Sequence, residues 1–320
     1  MKKIIFVAAA ILSCAIALSG CNEKNSSKKA DNQVKIGIIQ LVEHEALDAA
    51  RNGFIDGLKA AGYVDGENIA IDFQNAQNEQ ANCVTIASKF INDKCDMIFA
   101  IATPAAQAVA NLTKDIPILI TAVTDPLTAN LVKSNEKPET NVTGTSDLTP
   151  VAAQISLLKK ITPNAKTVGL LFCSSEANSV FQIDLAKKAC EENGLEYIEG
   201  SVSNSNEIQQ VTQSLVGKVD AFYVPTDNML AAGIANVAMV ATEAKLPIIC
   251  GESGMVNNGG LATYGINYYE LGKQTATQAV KIIKGEAKPA DMPIEYLQNC
   301  ELKVNEEVAK KIGIEVPADL

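Results

Sequence analysis

The chain has 320 residues, 47% of them hydrophobic and 20% charged, which favours two domains with well-filled cores over one. Its formal charge is −10, and beyond residue 20 there remain 25 basic against 37 acidic residues with no basic stripe, which argues against nucleic acid and anionic lipid as partners. A single histidine, His44, and a single arginine, Arg51, all but exclude His-based triads and zinc sites built on two histidines, and leave Arg51 as the one source of a guanidinium clamp.

The first segment reads as an address. Lys2 and Lys3 form a positive start, and Ile4 to Leu18 is an apolar run too short for a comfortable span of ~20 residues. Leu18-Ser19-Gly20-Cys21 resembles a lipobox, in which the signal is cut before the cysteine and its sulfur carries a lipid. An uncleaved signal anchor is the plainer alternative. The expectation is a signal peptide over 1–20, then a lipid anchor at Cys21 and a polar tether over 21–33, with the body held at the extracytoplasmic face of the cell membrane.

From Val34 the pattern alternates. VKIGIIQ (34–40) is a continuous apolar run, the mark of a strand covered on both faces. Ala46 to Ala61 carries Leu47, Ala50, Phe54 and Leu58 at helical spacing and stops at Gly62. Strands follow at 69–74, 96–102, 117–123 and 141–147, with helices over Glu79 to Asp93 and Pro104 to Lys114 between them. The series restarts with a helix over Val151 to Ile161 and strands at 167–173, 195–202, 219–225, 246–252 and 261–267. The intervening helices are Ser179 to Asn193, Glu207 to Val216 and Met229 to Lys245, and a long helix over Tyr269 to Lys284 closes the pattern. Two such series predict an α/β fold of two doubly wound, Rossmann-like lobes, with a site in the cleft where strand ends face each other.

The strand ends are polar. Gln40 ends the first. Thr103-Pro104-Ala105-Ala106 follows the third, with Thr103 placed as an N-cap and small side chains that leave amides open to an anion. Thr124-Asp125 and Thr145-Ser146-Asp147 end the next two. The second series ends in Ser174-Ser175-Glu176-Ala177-Asn178, Thr226-Asp227-Asn228 and Glu252-Ser253-Gly254. Any single one of these is more often a helix cap than a ligand contact. Together they offer groups to neutralise an ammonium and saturate a carboxylate. His44, with Glu43, Glu45 and Asp48 beside it, invites a metal reading, but only His44 and Asp48 share a helix face, so no metal is expected. Asp125 and Asp227 as an acid–base pair have no spacing in their favour, and there is no P-loop, nucleophile elbow or Rossmann fingerprint, so neither an enzyme nor a cofactor is expected. Six cysteines lie in the body; their even number permits disulfides, while the apolar setting of Cys173 and Cys250 favours free thiols.

The stretch VKIGIIQLVEHEALDAARNGFIDGLKAAGY, with ATPAAQA, TAVTDP, NVTGTSD, VPTDN and GINYYELGKQTA, resembles the ABC-transporter substrate-binding lipoproteins of the tryptophan or aromatic amino-acid type. That resemblance implies a type I periplasmic-binding fold with three crossovers, lobe 1 over 34–147 plus 267–295 and lobe 2 over 148–266 plus 296–320. It implies a monomeric receptor that closes on an aromatic or apolar amino acid and hands it to ABC permease subunits. By the same resemblance Thr103 and Thr124 would hold the ligand carboxylate and Asp227 the ammonium. Ser175, Asn178 and Glu252 would complete the second lobe's face, and Gln40 and His44 the first. A sugar or nucleoside receptor of the same fold is the alternative, weakened for sugars by the absence of Trp. A ligand-sensing surface lipoprotein is the other.

Overall fold

The computed structural model describes residues 33–297, 299–318 and 320. Cys21, the expected signal and the expected tether up to residue 32 lie outside them. Residues 34–320 form one compact unit.

In the first lobe, β1 (Val34–Gln40), α1 (Glu45–Ala60), β2 (Ile69–Asn75), α2 (Gln80–Asn92), β3 (Met97–Ile101), α3 (Thr103–Leu112), β4 (Ile118–Val123) and β5 (Val142–Ser146) alternate. The chain then crosses to α4 (Val151–Ile161), β6 (Thr167–Cys173), α5 (Ala177–Glu192), β7 (Glu196–Val202), α6 (Ile208–Leu215) and β8 (Ala221–Val224). The second lobe continues through α7 (Asn228–Ala232), α8 (Ile234–Glu243), β9 (Ile248–Cys250), α9 (Ser253–Asn257) and β10 (Ala262–Gly265). A return crossing brings α10 (Tyr268–Ile283) and β11 (Glu295–Tyr296) to the first lobe, and a third delivers β12 (Glu301–Val304) and α11 (Glu306–Ile312) to the second.

Each lobe holds a six-stranded sheet, ordered β11-β5-β4-β3-β1-β2 in one and β12-β10-β9-β8-β6-β7 in the other. β12 runs antiparallel against β10, and the other paired neighbours are parallel. In both sheets the order reverses beside the first strand, between β1 and β3 and between β6 and β8. That is the switch point where open α/β sheets take their ligands. β3, β4 and β8 are buried along their whole length, as strands covered on both faces must be.

Burial of the helix stripes locks each lobe. α1 turns Leu47, Ala50, Phe54 and Leu58 inward, and the Phe54 ring stacks on Phe99 with centroids 3.8 Å apart. α1 also lies against α10 at glycine contacts. A Cβ on Gly53 would stand 2.0 Å from the carbonyl oxygen of Tyr269, and one on Gly272 would stand 2.0 Å from that of Ala50. Arg51 is spent here: its Nη1 donates to Gln40 Oε1 at 2.8 Å, pairs with Asp48 at 3.2 Å, and its guanidinium lies 4.4 Å from the Phe73 ring centroid.

Some elements differ from the sequence expectation. The helix expected over Met229 to Lys245 is two, broken at Gly233, where a side chain would meet Ile208 Cδ1 at 2.5 Å. α9, β11, β12 and α11 were not anticipated. Thr103 is the first residue of α3, and Ala102 occupies the cap. Cys83, Cys95, Cys173, Cys190, Cys250 and Cys300 are all free thiols, and only Cys300 is exposed. No helix among the described residues is long and apolar enough to cross a membrane.

Candidate functional site

The carboxyl ends of the two sheets face each other and touch. Thr124 Oγ1, just past β4, lies 3.3 Å from Thr226 Oγ1, just past β8. Gln182 of α5 donates to both hydroxyls, at 3.3 Å to Thr124 and 2.6 Å to Thr226. His44 Nε2, at the cap of α1, meets Asn228 Oδ1 at 3.3 Å. On the rim, Asn257 and Asn258 of the second lobe donate to the Glu45 carboxylate of the first.

Between these contacts lies a cavity of about 10 Å3, room for roughly one water. His44, Leu47, Ala122, Asp147 and Tyr268 line it from the first lobe. Thr226, Asp227, Asn228, Ala231, Glu252 and Met255 line it from the second. Among the described residues that line it there is no lysine or arginine.

Three acidic side chains line it, and each is anchored. Asp227 caps α7, taking Leu230 N–H on one oxygen at 2.8 Å and Cys173 N–H on the other at 2.6 Å. Glu252 caps α9 by accepting from Gly254 N–H and from Met255 N–H, the latter at 2.7 Å. Asp147 accepts from Tyr268 Oη at 2.7 Å and Thr124 Oγ1 at 3.1 Å. Glu176, directly behind, accepts from Met229 N–H at 3.0 Å, Asn228 N–H at 3.2 Å and Asn228 Nδ2 at 2.6 Å.

Burial raises all four acids. Glu176 is pushed up to about 7 by burial and then by the charge of Asp227. Glu252 also rises to about 7, through burial first, with the hydrogen bonds from Gly254 and Met255 opposing it and the charges of Glu45 and Asp147 adding to it. Burial raises Asp147 and Asp227 as well, against the pull of their hydrogen bonds. The same burial drives His44 down to about 4, so the imidazole is neutral near pH 7. A buried region that holds four acids and, among the described residues lining it, no lysine or arginine is suited to a guest carrying positive charge.

Three buried polar atoms in the segments that follow β1, β3 and β6 have no partner: His44 Nδ1, Thr103 Oγ1 and Asn178 Oδ1. Each costs about 1–3 kcal/mol while unpaired. Two backbone positions are also under strain. Ala102 (φ 82°) and Ala122 (φ 53°) hold positive φ without being glycine, one at the end of β3 and the other inside β4 on the cavity wall.

Of the residues expected at the site, His44, Asp227 and Glu252 line the cavity. Thr124 bonds directly to Asp147 and Thr226 of its wall. Asn178 is buried beside Glu176 and donates to Thr226 O at 3.0 Å. Thr103 is buried at the start of α3. Gln40 faces the first lobe's interior, bonded to Val42 O, Asp48 and Arg51. Ser175 is exposed, with its hydroxyl on Cys173 Sγ at 3.0 Å. The structure adds Asp147, Glu176, Tyr268 and Asn228. Asp147 and Asn228 were visible as polar strand ends. Glu176 read as one more polar residue before a helix, and nothing local distinguishes Tyr268 from a helix-start core residue. Among the described residues no group of three or more potential ligands is placed to hold a metal.

Two doubly wound lobes joined by three crossings, with polar strand ends enclosing a buried cavity, define a solute receptor of the type I periplasmic-binding fold. The chain belongs to the family described as ABC transporter substrate binding protein, which matches residues 35–320. It is 45% identical to a tyrosine-binding protein of Clostridioides difficile, over 98% of this chain and 93% of that one. Among solved structures it resembles an ABC domain in complex with L-Trp from Streptococcus pneumonia, at 40% identity and TM-score 0.87, covering 90% of this chain and 97% of that one. It also resembles the ligand-free, open structure of a substrate-binding protein with adhesive properties from Clostridium difficile, at 52% identity and TM-score 0.68, covering 89% and 96%. The more similar sequence thus superposes less well.

Proposed function

We propose that this chain captures an aromatic amino acid outside the cytoplasm and presents it to the permease of an ABC importer. It would work as a monomer held to the membrane by a lipid on Cys21. The observation that carries the ligand reading is the cation-free wall of buried acids between the lobes. An α-ammonium would bring the charge that the wall lacks. Asp147, Asp227 and Glu252 are its candidate partners, since each carboxylate retains lone pairs beyond the hydrogen bonds it already accepts. The first turn of α3, with the unpartnered Thr103 hydroxyl, is the candidate seat for the α-carboxylate. His44 and Asn178 would face the rest of the ligand. The relatives named for tyrosine and for a tryptophan complex support an aromatic side chain. The present cavity is too small for such a guest, so the lobes must part to admit it.

A thermal-shift screen against amino acids, sugars and nucleosides tests this reading. Tyrosine or tryptophan should raise the melting temperature, and Asp147→Asn should shrink that rise. Asp147 is the better probe because it caps no helix, whereas Asp227→Ala would also uncap α7. Stabilisation by a sugar or nucleoside alone would overturn the proposal.

A further inference from the structure

The orientation of one amide fixes the protonation of the chain's only histidine. Glu176 is surrounded by backbone N–H donors, from Asn228 at 3.2 Å and Met229 at 3.0 Å, so it serves as an acceptor. Asn228 therefore turns its Nδ2 to Glu176, at 2.6 Å, and its Oδ1 across the cleft to His44 Nε2, at 3.3 Å. An amide oxygen only accepts, so the ring hydrogen sits on Nε2 and Nδ1 carries a lone pair. That Nδ1 is buried and has no partner, and His44 lines the interlobe cavity. Burial keeps the ring from taking a second proton near neutrality. The site thus contains an acceptor that no described protein group satisfies and that a donor on the guest can reach.

We infer that His44 Nδ1 accepts a hydrogen bond from the ligand's side chain, and that the receptor therefore selects aromatic amino acids bearing a side-chain donor, a phenol O–H or an indole N–H, over phenylalanine. This rests on the amino-acid reading above and narrows it. Glu176 and Asn228 are positioning residues in this scheme: they set the tautomer that reads the ligand. A buried acceptor left unpaired by phenylalanine corresponds to a loss of about 10- to 100-fold in affinity.

The test is calorimetric titration of the protein with tyrosine, tryptophan and phenylalanine, repeated on His44→Leu and Asn228→Leu. Wild type should bind tyrosine and tryptophan about 10- to 100-fold more tightly than phenylalanine. His44→Leu should weaken tyrosine and tryptophan and leave phenylalanine nearly unchanged, collapsing the preference, and Asn228→Leu should reduce it by freeing the tautomer. Equal wild-type affinity for all three would overturn the inference while leaving the amino-acid reading intact, and that comparison needs no variant. A preference that survives His44→Leu would overturn it too, as would an equal weakening of all three ligands, since the donor would then be the shared ammonium. Failure of all three to bind wild type would remove the amino-acid reading itself.

Discussion

Asp227 and Glu252 each terminate a short helix and face the cavity at once, so the chemistry of the site is tied to the stability of its frame. The four buried acids also make that stability depend on pH. Glu176 and Glu252 sit at about 7 in the folded protein, above the ordinary 4.5 of a glutamate. A group raised in this way contributes fully below its unfolded value, and that contribution is lost as pH rises through its folded value. His44, held at about 4 against an ordinary 6.5, works in the opposite sense, contributing above 6.5 and losing as pH falls through 4. Two groups outweigh one, so the unliganded protein should melt at a higher temperature near about pH 5.5 than near about pH 8. An equal or lower melting temperature on the acid side would contradict the assignment of these acids to a dry interior. The residues at strand ends, such as Asp227, were legible because polar groups after apolar runs stand out. The partnership of Asp147 with Tyr268 was not, because 121 positions separate them and only the return crossing brings them together.

At the scale of elements, strands read well because burial on both faces demands apolar runs, as in Ile98, Phe99 and Ala100 of β3. Helices read well where glycine stops them, as at Gly62. The break between α7 and α8 was hidden because Gly233 lies within an apolar stretch that continues the helical pattern, and the crowding by Ile208 comes from another helix. The short β11 and β12 carry little periodicity, and pairing defines them. The contact of α1 with α10 depends on missing side chains at Gly53 and Gly272. Gly272→Ala should therefore lower stability by about 1–3 kcal/mol, as overpacking does, read as a drop in the denaturation midpoint. An unchanged midpoint would mean that the two helices can separate at little cost.

At the scale of the molecule, the two sheets are joined by three crossings, and their contacts include polar ones: Thr124 with Thr226 and Gln182, His44 with Asn228, and Glu45 with Asn257 and Asn258. Polar contacts of this kind suit lobes that separate and rejoin, and a guest that satisfies the unpaired atoms between them would hold them together. The most direct test is isothermal titration of the protein with L-tyrosine and L-tryptophan. One ligand per chain, with a dissociation constant of about 1 μM or tighter, is the predicted result for a scavenging receptor. No saturable heat with either amino acid, under conditions where the protein is folded, would contradict the account.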